Sequence, residues 1–169
     1  MSRMRWIFSP LDKSFNKSAF DCGKPQLNEY LKKYAWQNQK RRYSITFVAT
    51  IENTKEIAGY YCTSASSIEF AKIPDAVNKK LPKYPAPVML IGQLAVDQKM
   101  QGKGLGKLLL MHALSRAVRI SSEIGIFAVR VDAMDQEAKD FYLKYGFIPL
   151  KDAEFSLILP IKTIIASRN

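Results

Sequence analysis

The sequence predicts a mixed α/β fold, and three observations carry that prediction. Short β-branched segments alternate with amphipathic helical ones along the chain. A glycine-rich turn stands where one central strand hands over to the longest helical pattern. The 169 residues, 47% hydrophobic, suffice to bury one core. No repeat, heptad run, low-complexity tract or flexible linker divides the chain, so a single domain over 1–169 is expected.

Residues 24–41 set Leu27, Tyr30, Leu31 and Tyr34 at i, i+3, i+4 and i+7, one stripe of an amphipathic helix, with Pro25 suited to its first turn. Ser44–Thr50 and Ile57–Ser64 read as strands, joined by a hairpin turn at Glu52–Lys55. Pro74, Pro82, Pro85 and Pro87 disfavour regular structure over 74–87, which reads as a surface loop, and a buried strand follows at 88–96. From about 103 to 122 a helix turns Gly106, Leu110, Ala113, Leu114 and Ala117 to the core and His112, Ser115, Arg116 and Arg119 to water. Ile124–Val131 reads as a second central strand. Asp135–Tyr145 reads as a helix capped by Asp135 and stopped by Gly146, and Phe155–Leu159 as a strand closing the chain.

Charge narrows the partners. The chain carries 26 Lys and Arg against 15 Asp and Glu, a formal +11, and residues 1–50 alone hold 10 basic against 3 acidic side chains. A polyanion such as nucleic acid, or an anionic cofactor, is the expected partner. No apolar run approaches the roughly 20 residues of a bilayer span, and the basic start from Met1 to Trp6 leads into no signal-like apolar segment. Cys22 and Cys62 make no disulfide framework, and no Cys or His spacing suits zinc. A cytoplasmic protein without membrane or metal is therefore expected. Both thiols read as small buried groups, and His112, the only histidine, as solvent-facing.

The chemistry concentrates in Leu94-Ala95-Val96-Asp97-Gln98-Lys99-Met100-Gln101-Gly102-Lys103-Gly104-Leu105-Gly106-Lys107. A strand feeds a glycine-rich turn, and the turn opens a helix whose first N–H groups have no intrahelical acceptor. Those donors, with the positive end of the helix dipole behind them, form a phosphate cradle. Gly102, Gly104 and Gly106 permit close approach, while Lys103 and Lys107 add charge. The pattern is neither GxxxxGK[ST] nor a dinucleotide-fold GxGxxG; an ordinary strand-to-helix turn is the competing reading.

Gln101-Gly102-Lys103-Gly104-Leu105-Gly106 resembles the Q/R-x-x-G-x-G/A acyl-CoA loop of the GNAT acyltransferase superfamily, and Ala138-x-x-Phe141-Tyr142-x-x-x-Gly146-Phe147 is similar to its second signature. Beyond these motifs, Phe20-Asp21-Cys22-Gly23, Gly59-Tyr60-Tyr61, Pro85-x-Pro87, Ile91 to Asp97, Val131-Asp132-Ala133 and Leu159-Pro160 resemble the acetyltransferase toxins of type II toxin–antitoxin systems over nearly the whole chain. The resemblance implies a single-domain GNAT fold, its mostly antiparallel central sheet splayed between the two central strands and flanked by helices. It implies acetyl-CoA as donor, the α-amino group of aminoacyl-tRNA as acceptor and a block of translation. It also implies a homodimer and neutralisation by a ribbon-helix-helix antitoxin.

At residue level the resemblance assigns the main chain of Leu94, Ala95 and Val96 to the pantetheine arm, chiefly Leu94 and Val96, and Gln101 to Lys107 to the diphosphate. Ala138 and Phe141 are placed along the CoA chain, although both also suit a core. Tyr142 is the expected proton donor to the departing CoA thiolate, because a phenol of pKa near ~10 remains protonated at neutral pH. No general base stands out, which fits an α-amine of pKa ~7.7–8.0 better than a lysine of ~10.4. Lys32, Lys33, Lys40, Arg41 and Arg42 from the first helix and its exit, with Arg116 and Arg119, are candidate tRNA-phosphate contacts, against the alternative of a solvated helix face. Two other functions remain open: an acetyltransferase for a protein N-terminus or a small amine, and a catalytically silent CoA- or nucleic-acid-binding regulator.

Overall fold

The computed structural model describes residues 4–168; Met1–Arg3, part of the start read for targeting, lie outside the described residues. Its strands are β1 (Trp6–Pro10), β2 (Ile45–Ile51), β3 (Ile57–Ile68), β4 (Ala86–Val96), β5 (Ala128–Asp132), β6 (Ile148–Leu150) and β7 (Ala153–Pro160). They form an open sheet in the order β1-β2-β3-β4-β5-β7-β6. Neighbours β1–β2, β2–β3, β5–β7 and β6–β7 are antiparallel, and β4–β5 is parallel, so the sheet is mixed and mostly antiparallel as expected. The parallel register runs from Val88↔Ala128 to Ile91↔Val131, and β4 continues past it through Gly92–Val96. The outermost strands are short and each contains a proline, Pro10 or Pro149, a composition that blunts exposed edges.

The chain divides into two compact units. The first comprises the chain through Ser64 together with Gly92–Ala113. Here Leu31 and Ala35, both fully buried, pack with Phe20, Val48, Tyr60 and Ala95. The helical segment supplying them is not the continuous helix that periodicity predicts. It runs as α1 (Pro25–Glu29), a π turn (Tyr30–Tyr34) and α2 (Ala35–Lys40). The wider turn advances the buried stripe by one residue: Leu31 keeps its place, Ala35 takes the next, and Tyr34 is left 48% exposed.

α3 (Leu105–Ile120) follows the glycine turn. Its early residues Leu105 and Leu109 press against β3 at Gly59, where an added Cβ would stand 2.9 Å from Leu109 Cδ1 and 3.0 Å from the Ala95 carbonyl. No side chain fits between helix and strand there. His112 does not face solvent as read from the sequence. It stacks on Phe8 with ring centroids 5.0 Å apart, lies beside Phe47, and its Nδ1 is 2.7 Å from the Tyr61 hydroxyl. A helical wheel places His112 opposite the main apolar face, but that side of α3 meets aromatic rings from β1, β2 and β3.

The second unit comprises Ala65–Ile91 and the chain from Leu114 onward. Its core joins Ile68, Ile73, Val88, Ala128, Leu150 and Ile158. β5 begins at Ala128, later than predicted, because 124–127 lead in as irregular chain, with Phe127 N donating to Pro87 O at 2.8 Å. α4 (Gln136–Lys144) carries the second signature, and α5 (Ile161–Ser167) follows β7, so the chain does not close on a strand. Cys22 and Cys62 are buried free thiols, as expected.

Candidate active site

In the first unit, the end of β4 passes into a loop fastened mainly through backbone atoms. Asp97 N donates to Ala58 O and Gln98 N to Asp21 O, each at 2.8 Å. The largely buried Asp97 carboxylate accepts from Lys99 N at 2.9 Å, capping a 3₁₀ turn at Gln98–Met100, and from Asp21 N at 3.1 Å. Gln101 Nε2 donates to Val96 O at 2.9 Å and to Cys22 O at 3.1 Å. The Gln101 side chain thus secures both ends of the turn, and Asp97 and Asp21 complete the clamp. In the sequence Asp97 stands within the glycine-loop segment and Asp21 within a motif of the resemblance, and neither spacing marks the clamp they form. The one local signal is Asp97 itself, an aspartate directly after a central strand and ahead of a turn.

Beyond the clamp the loop opens. Gly102 and Gly104 have φ of +78° and +85°, and an added Cβ at either would meet nothing within 4 Å. Backbone conformation, not crowding, calls for glycine there, and the space above is clear. Leu108 N donates to Gly104 O at 3.2 Å, which opens α3 and leaves the N–H groups of Leu105, Gly106 and Lys107 without intrahelical acceptors. Lys103 and Lys107 are exposed beside them. Their donor set, positive dipole and open space fit an anionic diphosphate. Leu94 and Val96 are half-buried, and Ala95 points into the core.

In the second unit, Asp135 caps α4 through a 2.8 Å bond from Ala138 N to its carboxylate. Ala138 and Phe141 are half-buried. Tyr142 is buried at 7% exposure, its ring 5.2 Å from Phe141 and 5.3 Å from Phe147 by centroids. Gly146, at φ +93°, turns the chain so that Phe147 N reaches back to Tyr142 O at 3.3 Å. Phe141 on α4 and Phe147, directly before β6, therefore pack against the Tyr142 ring.

Among the basic candidates, Lys33, Lys40, Arg41 and Arg42 are exposed and Lys32 is half-buried. Lys33 pairs with Glu29 at 3.3 Å, the i,i+4 spacing. Arg42 takes φ +62° in the turn leaving α2, beside Tyr43, which is 73% exposed. In the second unit Arg119 is exposed and Arg116 half-buried. Among the described residues no group of three or more His, Cys, Asp or Glu could hold a metal ion, and no helix is long and apolar enough to cross a membrane.

Comparison with known proteins accords with this geometry. The chain is 37% identical over 130 residues to the tRNA-acetylating toxin of Mycobacterium tuberculosis, covering 77% of this chain and 76% of that protein. The structure of AtaT complexed with acetyl-methionyl-tRNAfMet superposes with a TM-score of 0.91 at 28% identity, covering 98% of this chain and all of that one. An AtaT variant with Tyr replaced by Phe, bound to the C-terminus of the antitoxin AtaR and to acetyl-CoA, gives 0.83 at 26% identity, covering 97% and 98%. The acetyltransferase (GNAT) family model matches residues 9–147, a span that holds both the loop clamped by Asp97 and Gln101 and the helix bearing Tyr142, and the chain belongs to that family.

Proposed function

We propose that this protein transfers the acetyl group of acetyl-CoA to the α-amino group of aminoacyl-tRNA, and so blocks translation as the toxin of a type II toxin–antitoxin pair. The observation that carries this reading is the match, over 98% of the chain, to a toxin held with acetyl-methionyl-tRNAfMet. The conformation of the Gly102–Gly104 turn and the N–H donors opening α3 support a diphosphate site there. In this reading the main chain of Leu94 and Val96 pairs with the pantetheine arm, although the Val96 carbonyl already accepts the Gln101 amide. Ala138 and Phe141 line the remainder of the carrier.

The amine nitrogen attacks the thioester carbonyl, the carbon–nitrogen bond forms, and the carbon–sulfur bond breaks as the carbonyl returns. Tyr142 gives its phenolic proton to the leaving thiolate, and water takes the proton lost by the amine. An α-amine, partly neutral near pH 7.5, needs no strong base for this. The exposed Lys40, Arg41 and Arg42, with Lys32 and Lys33, contact tRNA phosphates from the first unit, and Arg116 and Arg119 from the second. The protein acts in the cytoplasm as a homodimer, restrained by a ribbon-helix-helix antitoxin.

The test is to incubate the protein with charged total tRNA and acetyl-labelled acetyl-CoA and to identify the labelled aminoacyl esters. Label on aminoacyl-tRNA is the expected result; label on protein lysines or protein N-termini alone would overturn the acceptor assignment.

A further inference from the structure

One polar network in the first unit has no part in the chemistry above. Gln93 lies on β4 directly before Leu94 and is half-buried. Its Oε1 accepts from the thiol of Cys62 on β3, a residue only 3% exposed. Burial pushes the Cys62 thiol up to about 11, so at cell pH it remains an S–H donor. With the thiol donating to Oε1, the carboxamide nitrogen and its two N–H donors lie on the other branch of the side chain.

Tyr30 lies in the neighbourhood of the thiol. Its hydroxyl is 2.8 Å from Ser44 Oγ and accepts from Asn38 Nδ2 at 3.3 Å. Tyr30 is the first residue of the π turn, where Ala35 N reaches back to the Tyr30 carbonyl. π turns inside α-helices recur at functional sites because they re-aim a side chain at the cost of one regular bond. Here the re-aimed residue supports, through Cys62, a single carboxamide beside the strand segment proposed to hold the thioester arm.

We propose that Gln93 binds the aminoacyl acceptor, its amide nitrogen donating to the ester carbonyl oxygen, with Cys62 and Tyr30 as positioning residues. This rests on the acceptor being an aminoacyl ester, as in the proposed function. The reacting nitrogen must keep its lone pair for the thioester carbon, so an N–H donor serves the substrate at the neighbouring carbonyl instead. A neutral carboxamide is the suitable group. A carboxylate would stabilise the ammonium form, which cannot attack.

The experiment measures kcat/KM for aminoacyl-tRNA at saturating acetyl-CoA, alongside the acetyl-CoA Kd by calorimetry, on the full chain. Gln93→Leu and the near-isosteric Gln93→Glu should each lower acceptor kcat/KM on the order of tenfold, the worth of one substrate hydrogen bond, and leave the acetyl-CoA Kd unchanged. Cys62→Ser keeps a donor to Oε1 and should stay close to the parent, whereas Cys62→Val should behave like Gln93→Leu. Unchanged acceptor kinetics in both Gln93 variants, or equal losses in acceptor and acetyl-CoA affinity, would overturn the assignment. Equal behaviour of the Ser and Val variants would remove Cys62 from it. A parent protein that transfers no acetyl group to charged tRNA would instead refute the proposed function itself, and this inference with it.

Discussion

The loop after β4 and the π turn between α1 and α2 belong to the same compact unit but are held by different kinds of contact. From Asp97 to Gln101 nearly every constraint ends on a backbone atom: Ala58 O, Asp21 O, Val96 O, Cys22 O, Lys99 N and Asp21 N. Around Tyr30 the constraints are side chains drawn from separate segments: Asn38, Ser44, and the ring of Tyr60 stacked 6.4 Å away. A phosphate is recognised by N–H groups that any residue carries, so the loop needs only the right main-chain path. Recognition of an acceptor's functional groups requires particular side chains, which the fold must gather from a distance.

The largest effect that sharpens this contrast is expected at a residue in neither region. If the loop and the π-turn network serve binding, the proton-transfer step should depend on Tyr142 alone. Tyr142→Phe keeps the ring against Phe141 and Phe147 and should cut turnover by ~100-fold or more, with the acetyl-CoA Kd unchanged by calorimetry. Near-normal turnover would assign the proton to another group.

A smaller effect tests the main-chain hold directly. Gly104 has φ +85° and open space where a side chain would go. Gly104→Val therefore meets conformational strain without a clash, about 1–2 kcal/mol for an L-residue forced into that region. The protein should fold with a modestly lower Tm, while the acetyl-CoA Kd weakens at least tenfold or so as the N–H groups re-aim. An unchanged Kd in the folded variant would mean that the main-chain path is not what grips the carrier.

The same contrast explains what could be read from the sequence. Gly102, Gly104 and Gly106 announce the loop because spacing within a few residues encodes it, and the long helix behind it follows its 3.6-residue period. Asp135 and Gly146 likewise mark the ends of α4 by local rules of capping. The π turn escapes such reading. Its sequence keeps a perfect stripe at Leu27, Tyr30, Leu31 and Tyr34, yet packing buries Ala35 in place of Tyr34, a choice made by Phe20, Val48 and Tyr60 from elsewhere in the chain. His112 misleads for the same reason, since the rings of Phe8, Phe47 and Tyr61 that enclose it come from three strands. β1, β6 and α5 are too short, or too rich in proline or isoleucine, to have a clear period of their own.

The smallest effect is expected on the basic face. Lys40, Arg41 and Arg42 are exposed at the exit of α2, whereas Lys33 is already paired with Glu29, so the first three are the stronger candidates among the proposed phosphate contacts. Each phosphate contact adds roughly 0.7–0.9 to the slope of log affinity against log salt. Replacing all three by Gln should raise the KM for aminoacyl-tRNA several-fold near 0.15 M salt and flatten that slope by up to about 2.7, without altering the acetyl-CoA Kd. Such a result separates the tRNA-holding surface from the donor loop, because a general loss of structure would weaken both ligands. An unchanged KM and slope would place the tRNA footprint on another surface and leave these side chains as an ordinary solvated helix end.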